Sequence, residues 1–300
     1  CADTIWKICC DLLTALIRQQ EDAGMRKIWD DVAGIAVTGM GEAGVPLDQD
    51  GRALYPAIAW FDPRTERYLA WWEKSFGADR MFAITNLRNQ HIFTVNKLLW
   101  LKENEKEVFQ KTKKWHCIPD FIAYRLTGCS AMDYSIATRT MMMNMATKTW
   151  SQEILDHAGI SPELLPALVP SGTKVGEVTP EAAALCSLKP GVPVFAGGHD
   201  HVCGALAAGV FSPGVVLDSS GTCEEVLVSA ECLDETVALS RDGFNAGCHV
   251  SSGQYYISGG IPASGASVDW FQREFQKPVG TAAHSEPGAR GVMFLPHLRG

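Results

Sequence analysis

The sequence predicts an α/β fold, and three stretches of the chain carry that prediction. Residues 5–17 have apolar side chains at the spacing of an amphipathic helix. Residues 32–37 and 192–196 are short apolar runs that open onto glycine-containing loops, which is typical of buried strands. Because α/β sheets bind ligands beyond the carboxyl ends of their strands, these loops are where we expect a site.

The first half of the chain combines strands with a helix-rich stretch. The first helix is expected to stop at Gly24, and the strand at residues 32–37 leads into a loop at residues 38–42. A β-turn at residues 48–51 follows. Residues 65–126 are rich in helical patterns, and we interpret them as an all-helical insertion in the first domain.

Prolines and glycines, which end helices and strands, are frequent in the middle of the chain. Thr127 and Gly128 form a helix cap, and prolines and glycines recur through residues 162–191. We therefore place a domain boundary near residue 190, between a first domain at residues 1–190 and a second domain at residues 191–300.

The amino-acid composition and net charge limit the kinds of molecule that we expect the protein to bind. The 300 residues are 46% hydrophobic and 20% charged, which suffices for two globular domains with their own cores. The net charge of −8 argues against nucleic acid or an anionic membrane as partner, and no long uncharged apolar run predicts a membrane span. A small neutral molecule fits better, and the composition leaves room for a homodimer. Ten cysteines without repeated spacing predict free thiols in a cytoplasmic protein.

Two turns in the second domain carry the chemistry. The paired glycines at 197–198 let the backbone fold tightly behind Asp200, a carboxylate able to accept a proton from a hydroxyl. A second turn contains Ser220, Gly221 and Thr222, whose hydroxyls and backbone N–H groups suit a phosphate. Together the turns indicate phosphoryl transfer. The simpler alternatives are that Asp200 only caps a helix and that the second turn is an ordinary β-turn.

In their order along the chain, these residues resemble the FGGY carbohydrate kinases, ATP-dependent enzymes that phosphorylate glycerol, ketoses and related polyols. Besides the Gly-Gly-His-Asp turn, the resemblance rests on segments at residues 60–65, 97–104, 124–128, 133–140 and 294–296. The resemblance implies an actin-like or ribonuclease H-like fold of two domains with a cleft between them. It also implies ATP and Mg²⁺ as cofactors, a sugar or polyol as substrate, and Asp200 as the general base. Ser220, Gly221 and Thr222 would lie at the ATP phosphates.

The resemblance also selects the residues expected on the sugar side. Recognition of a polyol needs polar groups that converge beside an aromatic face, since each hydroxyl needs a partner once water is removed. The candidates are Gly41, Glu42, Trp60, Asp62, Arg64, His199 and His201. The residues alone allow simpler interpretations, in which Trp60 packs in the core and Asp62 pairs with Arg64 at the surface. Lys97 and Trp100 are interpreted as structural.

Two other functions remain open on the sequence alone. His199 and His201 have a metal-ligand spacing, so a metal-dependent hydrolase with His249 or an acid as third ligand is one alternative. The second alternative is an actin-like ATPase that phosphorylates no sugar.

The resemblance further implies pieces that lie outside the sequence. FGGY kinases begin with an Asp-x-Gly-Thr phosphate turn and continue into a Gly-Gly-Gly turn at the adenosine, and neither occurs in residues 1–300. We therefore expect an internal piece of a longer protein, inactive when isolated. The sequence does not indicate which sugar or which hydroxyl is phosphorylated.

Overall fold

The computed structural model describes residues 2–24, 32–212, 214–221, 223–233, 242–261, 263–276 and 288–295. Over these ranges the chain is a mixed α/β structure with two principal sheets. The predicted α/β class is visible in the alternation of strands with helices along the chain.

The N-terminal sheet has three strands in the order β1, β9, β8. Its strands are β1 (Ile35–Gly39), β8 (Lys174–Glu177) and β9 (Pro193–His199). β1 and β9 run parallel, so both carboxyl ends lie at the same edge, and β8 is antiparallel to β9. This edge is where both predicted loops begin.

Three helices cover this sheet and supply its core. They are α1 (Ala2–Asp22), α6 (Ile118–Thr127) and α9 (Pro180–Cys186). Trp6 of α1, Phe121 of α6 and Val194 of β9 belong to one buried cluster. Burial of such side chains contributes about 1.5 to 3 kcal/mol each, which explains why the sheet forms here. Gly128 has φ of 73° and ends α6, as the sequence predicts.

The prediction that all ten cysteines are free thiols is wrong for one pair. α1 packs against α9, and this brings the Cα atoms of Cys10 and Cys186 to 4.2 Å, where the structure joins them in a disulfide. The two residues are 176 positions apart in sequence, so the pairing depends on helix packing that cysteine spacing does not encode.

The stretch between β2 (Gly44–Leu47) and α6 contains four consecutive α-helices and a 3₁₀ turn. These are a 3₁₀ turn (Pro63–Thr65), α2 (Arg67–Ser75), α3 (Ala78–Thr85), α4 (Thr94–Asn104) and α5 (Lys106–Lys111). They enclose a core that includes Trp72, Leu98 and Trp115. The prediction of an all-helical insertion is wrong at β3 (Lys114–Cys117), which pairs antiparallel with β2. Gly44 explains the pairing, because a Cβ there would lie 2.5 Å from the Trp115 ring.

Short elements connect the insertion to the rest of the fold. They are β4 (Ala131–Asp133), α7 (Tyr134–Thr138), β5 (Met143–Asn144), β6 (Thr149–Trp150), α8 (Gln152–Ala158), a 3₁₀ turn (Pro162–Leu164) and β7 (Ala167–Val169). Asp133 caps α7 by accepting from the backbone N–H groups of Ser135 and Ile136. The predicted helical position of Lys97, inside α4, is confirmed.

The C-terminal sheet is antiparallel, with strand order β10, β11, β13, β12. Its strands are β10 (Val216–Ser220), β11 (Glu224–Ala230), β12 (Asn245–Cys248) and β13 (Tyr255–Ile261). Helix α10 (Asp200–Ala207) follows β9 directly and packs on this sheet through Val202 and Ala205, which share a buried cluster with Leu227 and Tyr256. α10 therefore joins the two sheets. The last elements are α11 (Gly265–Phe275) and a 3₁₀ turn (Ala289–Gly291).

The boundary predicted near residue 190 precedes β9. The strand pairings attach Pro193–His199 to the N-terminal sheet, and the C-terminal sheet begins at Val216. Among the described helices, none has the length and apolar character needed to cross a bilayer.

Candidate active site

Two loops meet at the carboxyl edge of the N-terminal sheet. The register of β1 and β9 pairs Gly39 with His199, so the loop at residues 40–43 lies beside the start of α10. Gly41 permits the close approach, because a Cβ at that position would lie 2.9 Å from Cβ of Arg139 and 3.1 Å from Cδ2 of His199. The two loops in which the sequence predicts a site therefore lie side by side at Gly41 and His199.

The paired glycines hold β9 tightly against its neighbours. A Cβ on Gly197 would lie 2.1 Å from the backbone oxygen of Val37, and one on Gly198 would lie 2.4 Å from Val250. Gly198 also has φ of 154°, where other residues are disfavoured. The geometry therefore requires glycine at both positions immediately before His199 and Asp200.

Asp200 is the first residue of α10, and His199 takes the N-cap position without a side-chain cap bond. Asp200 therefore does not occupy the N-cap position of the simpler interpretation, although its side chain does satisfy one N–H of the first turn. Its Oδ1 accepts from the backbone N–H of His201 at 2.7 Å and lies 3.5 Å from Nε2 of His199. The Asp200 side chain remains 53% exposed, so its carboxylate is accessible to a hydroxyl in the cleft.

His199 lies beside Asp200 as a largely buried, neutral imidazole whose side chain is 13% exposed. Its backbone N–H donates to Oγ of Ser135 at 2.8 Å. Burial, reinforced by the positive charge of Arg139, lowers the pKa of His199 to about 4, although Asp200 opposes the shift. The ring Nδ1 is buried and has no hydrogen-bond partner among the described residues. His199 therefore offers a neutral polar atom close to the carboxylate.

A buried ion pair forms the floor of the site. The guanidinium of Arg139 binds Oε1 of Glu42 with Nη2 at 2.5 Å and Nε at 2.6 Å. The Arg139 and Glu42 side chains are 11% and 5% exposed. Glu42 has φ of 57°, an uncommon conformation for a residue with a side chain, and its carbonyl accepts from Oγ1 of Thr94. Strained backbone of this kind concentrates at functional sites.

Arg139 is a site residue that the sequence interpretation missed. It lies immediately after α7 and stacks 5.1 Å above the ring of Phe93. Its segment, residues 133–140, matches the family pattern, and that match was the available signal. The pairing with Glu42 spans 97 positions, so no local pattern indicates it.

His201 and Glu225 join α10 to the C-terminal sheet. Nδ1 of His201 lies 2.9 Å from Oε2 of Glu225, and this contact raises the pKa of His201. Burial of the Glu225 carboxyl favours a higher pKa, but the hydrogen bond from His201 and the charge of Arg139 outweigh it and hold the pKa at about 2. Glu225 is the second residue that the sequence interpretation missed, and no signal in the sequence singled it out.

Asp62 and Arg64 form a separate pair at the edge of the insertion. Asp62 Oδ1 accepts from Arg64 Nε at 2.8 Å, and Arg64 stacks 4.7 Å above the ring of Trp100. The hydrogen bond from Arg64 is the main reason that the pKa of Asp62 is lowered. The alternative of an ion pair thus describes the observed contact, although both side chains are only partly exposed.

Lys97 connects this pair electrostatically to Glu42. It is fully buried, and its Nζ donates to the carbonyl of Ile92. Burial lowers the pKa of Lys97 to about 8, while the charges of Glu42 and Asp62 oppose the shift. The loop of Glu42 and the segment of Asp62 therefore flank one buried ammonium group.

Trp60 is a partly exposed aromatic residue beside Phe61. It is 38% exposed, so it is not a core residue, and it contacts Phe61 edge-to-face at 5.3 Å. Among the contacts that join described residues, none links Trp60 to Asp200. The structure thus brings Gly41, Glu42, His199, Asp200 and His201 together and leaves Trp60, Asp62 and Arg64 in an adjoining group.

The predicted phosphate turn lies at the end of β10. Ser219 pairs with Glu225, so Ser220 is one residue beyond the point where β11 reaches His201. Oγ of Ser220 lies 3.5 Å from Oγ of Ser264, and the Gly221 carbonyl accepts from the N–H of Gly265. The Gly221 N–H donates to Cys223. Thr222 lies outside the described residues.

The described ranges contain no group of three His, Cys, Asp or Glu side chains arranged to hold a metal ion. Within those ranges His199 and His201 therefore find no third ligand of the kind that a metal-dependent hydrolase would need. His201 instead bonds Glu225, and Nδ1 of His249 accepts from the backbone of Ser251 at 2.9 Å.

Comparison with known protein families gives one match that covers most of the chain. The N-terminal domain model of the FGGY family of carbohydrate kinases matches residues 2–207. Among curated proteins, xylulose kinase of Bacillus subtilis (strain 168) is 35% identical over 276 residues, which is 90% of this chain and 54% of the relative. L-fuculokinase of Escherichia coli (strain K12) is 32% identical over 268 residues, 87% of this chain and 56% of the relative. The chain therefore spans about half the length of these relatives.

Solved structures agree on the fold. Xylulose kinase from Rhodospirillum rubrum superposes with a TM-score of 0.81 at 30% identity, covering 89% of this chain and 56% of that one. Ligand-bound xylulose kinase from Lactobacillus acidophilus gives a TM-score of 0.87 at 21% identity, covering all of this chain and 60% of that one, and is similar in fold. The predicted actin-like, ribonuclease H-like α/β fold is confirmed.

Proposed function

Because the chain belongs to the FGGY family of carbohydrate kinases, we propose that the protein containing it transfers the γ-phosphoryl group of ATP to a hydroxyl of a sugar or polyol. The observation that carries the proposal is the position of Asp200. Its exposed carboxylate lies at the carboxyl end of β9, beside the loop of Gly41, and the next residue, His201, contacts β11, the strand that pairs with β10. A proton acceptor, a polar pocket and a phosphate turn then border one cleft.

Asp200 is the proposed general base. As the substrate oxygen forms its bond to the γ-phosphorus, the hydroxyl proton passes to the carboxylate, and the bond between the γ-phosphorus and the bridging oxygen breaks to release ADP. The neutral imidazole of His199 supports this role, because it adds no positive charge that would weaken the base.

The sugar is proposed to bind between the loop after β1 and the segment of Trp60. Gly41, Glu42, His199 and His201 would meet its hydroxyls near the base, and Asp62 and Arg64 would meet those farther away. Trp60 suits an aromatic wall, since its partly exposed ring can pack against sugar C–H groups. Arg139 holds the carboxylate of Glu42 in place, so we add it as a positioning residue.

Ser220, Gly221 and Thr222 are the proposed contacts to the ATP phosphates. The hydroxyl of Ser220 lies 3.5 Å from that of Ser264 at the start of α11, and Ser264 itself donates to Oε2 of Glu224 at 2.7 Å. Ser220 and the backbone N–H groups beside it are therefore the groups proposed to donate to a phosphate. ATP, when bound, supplies the phosphoryl group. Mg²⁺ is proposed to accompany ATP and to bind mainly through the phosphates, and we assign no residue to it.

The relatives suggest the class of substrate without choosing one. Similar proteins carry the names xylulose kinase and L-fuculokinase, and proteins of similar fold include a gluconate kinase and a glycerol kinase. We propose a small neutral sugar or polyol as substrate, and a cytoplasmic location where ATP is available. A homodimer is retained as a proposal, and neither nucleic acid nor a membrane is proposed as partner.

A substrate screen tests the proposal. Full-length protein containing this chain is incubated with MgATP and a panel of ketoses, aldoses and polyols, and ADP release and product mass are measured. We expect one or a few sugars to stimulate ADP release and to gain the mass of one phosphoryl group. ADP release that no sugar stimulates would favour the alternative of an ATPase without sugar chemistry.

A further inference from the structure

The C-terminal sheet contributes a residue to the site through strand β11. Side chains alternate along a strand, so Glu225 and Leu227 lie on the same face of β11. Leu227 and Ala205 of α10 belong to one buried cluster, and His201 lies one helical turn before Ala205 on the same face of the helix. The packing of β11 on α10 therefore brings the Glu225 carboxylate to the imidazole of His201, with 2.9 Å between Oε2 and Nδ1.

This contact fixes the protonation of the ring. A charged carboxylate can only accept hydrogen bonds, so Nδ1 of His201 carries the proton. The Glu225 carboxylate is charged across the ordinary pH range, because its pKa is held at about 2 despite burial. The other ring nitrogen, Nε2, is buried and has no hydrogen-bond partner among the described residues. Glu225 is thus the observed partner that orients the imidazole.

His201 also contacts the proposed base, Asp200. The backbone N–H of His201 donates to Oδ1 of Asp200 at 2.7 Å. His201 is held at its ring by Glu225 and at its backbone by the start of α10. The first turn of that helix therefore has little freedom to move. Asp200 belongs to that turn, and its half-exposed carboxylate has one further contact, with Nε2 of His199 at 3.5 Å.

We propose that Glu225 is a positioning residue for Asp200, and that it acts through His201 so that the C-terminal sheet orients the base supplied by the N-terminal sheet. This inference rests on the proposed kinase function. The contact between α10 and β11 then couples the placement of the second sheet to the competence of the base. A charge-assisted hydrogen bond is roughly twice as strong as a neutral one, so neutralising Glu225 should loosen the arrangement without removing its shape.

A double-mutant cycle in the full-length protein tests the route of the effect. E225Q retains a hydrogen-bond acceptor and loses the charge, so we expect kcat to fall about 10-fold while the KM for ATP is unchanged. In an H201A background the same substitution should change kcat by less than about 2-fold, since the residue through which it acts is absent. E231Q, which neutralises an exposed glutamate just after β11, is the matched control and should behave like the wild type.

A second measurement does not depend on turnover. The pKa of the His201 ring, measured by NMR titration, should be lower in E225Q than in the wild type, and unchanged in E231Q. An equal loss of kcat from E225Q in both backgrounds, or a rise in the KM for ATP as well, would show a general structural role and overturn the inference.

The outcomes separate this inference from the proposed function. If the wild type phosphorylates no sugar, the proposed function fails and the positioning role fails with it, even if the NMR titration shows the contact. If the wild type is active and E225Q has wild-type kcat, only the inference fails.

Discussion

Removal of the Glu42 charge should destabilise the protein far more than loss of an ordinary surface ion pair. The Glu42 and Arg139 side chains are 5% and 11% exposed, and E42Q leaves the guanidinium buried without the carboxylate that binds it directly. Breaking a buried pair from one side costs about 3 to 5 kcal/mol of unfolding free energy. The ammonium of Lys97 lies nearby and is also influenced by Glu42, so the loss should fall in the upper part of that range.

The matched control is E153Q. Glu153 pairs with Arg80 through its carboxylate in the same way, but these side chains are 47% and 56% exposed, and water can replace the lost partner. Urea unfolding of both variants and of the wild type measures the difference. We expect little or no change in E153Q.

A double-mutant cycle with R139Q measures how strongly the two charges stabilise each other. Since the two charges stabilise each other, the double variant E42Q/R139Q should lose less stability than the sum of the single variants, by about 1 to 3 kcal/mol. The reasoning is refuted if E42Q is no less stable than E153Q, or if the effects of E42Q and R139Q simply add.

Three further predictions follow from the geometry. G41A should lower kcat and loosen the site, because its Cβ would lie within 3.1 Å of both Arg139 and His199, whereas G204A, with open space inside α10, should be neutral or stabilising by up to about 1 kcal/mol. Steady-state kinetics and urea unfolding check both, and normal activity in G41A would contradict the close approach. W60A should raise the KM for the sugar and leave the KM for ATP unchanged; equal increases would mean that Trp60 is a packing residue. Stability should fall as pH drops from 6.5 towards 3, because burial lowers the pKa of His116 to about 3 and the unfolded chain takes up a proton that the folded chain refuses. His116 contributes a slope of about 1.4 kcal/mol of unfolding free energy per pH unit. In urea unfolding, the stability of H116Q should therefore fall less steeply with decreasing pH than that of the wild type, and an unchanged slope would contradict the assignment.

The sequence predicted the parts of the site that local patterns determine. An apolar run followed by two glycines and an acid is a local feature, and it correctly indicated a strand and then a helix. The predicted glycine turn between them is wrong, because β9 continues through both glycines to His199 and the helix begins at Asp200. The position of Lys97 within a helix and the cap at Gly128 are local in the same sense.

Contacts between distant segments were not predictable from the same patterns. The pairs Glu42 with Arg139 and Cys10 with Cys186 are 97 and 176 residues apart, and each depends on how whole elements pack. β3 was missed for a related reason: four residues are too few for a clear period, and the strand forms because Trp115 packs on Gly44.

Single-turnover phosphoryl transfer in the D200N variant of the full-length protein tests the central claim most directly. The amide keeps the shape of the carboxylate but cannot take the proton. Equilibrium binding of a sugar identified by the screen should be as tight in D200N as in the wild type. Rapid mixing of excess enzyme and that sugar with labelled ATP should show phosphoryl transfer slowed by about 10² to 10⁴-fold. D156N, which alters an exposed aspartate in α8, should transfer at the wild-type rate. Transfer by folded D200N within a few-fold of the wild-type rate would contradict the assignment of Asp200 as the base.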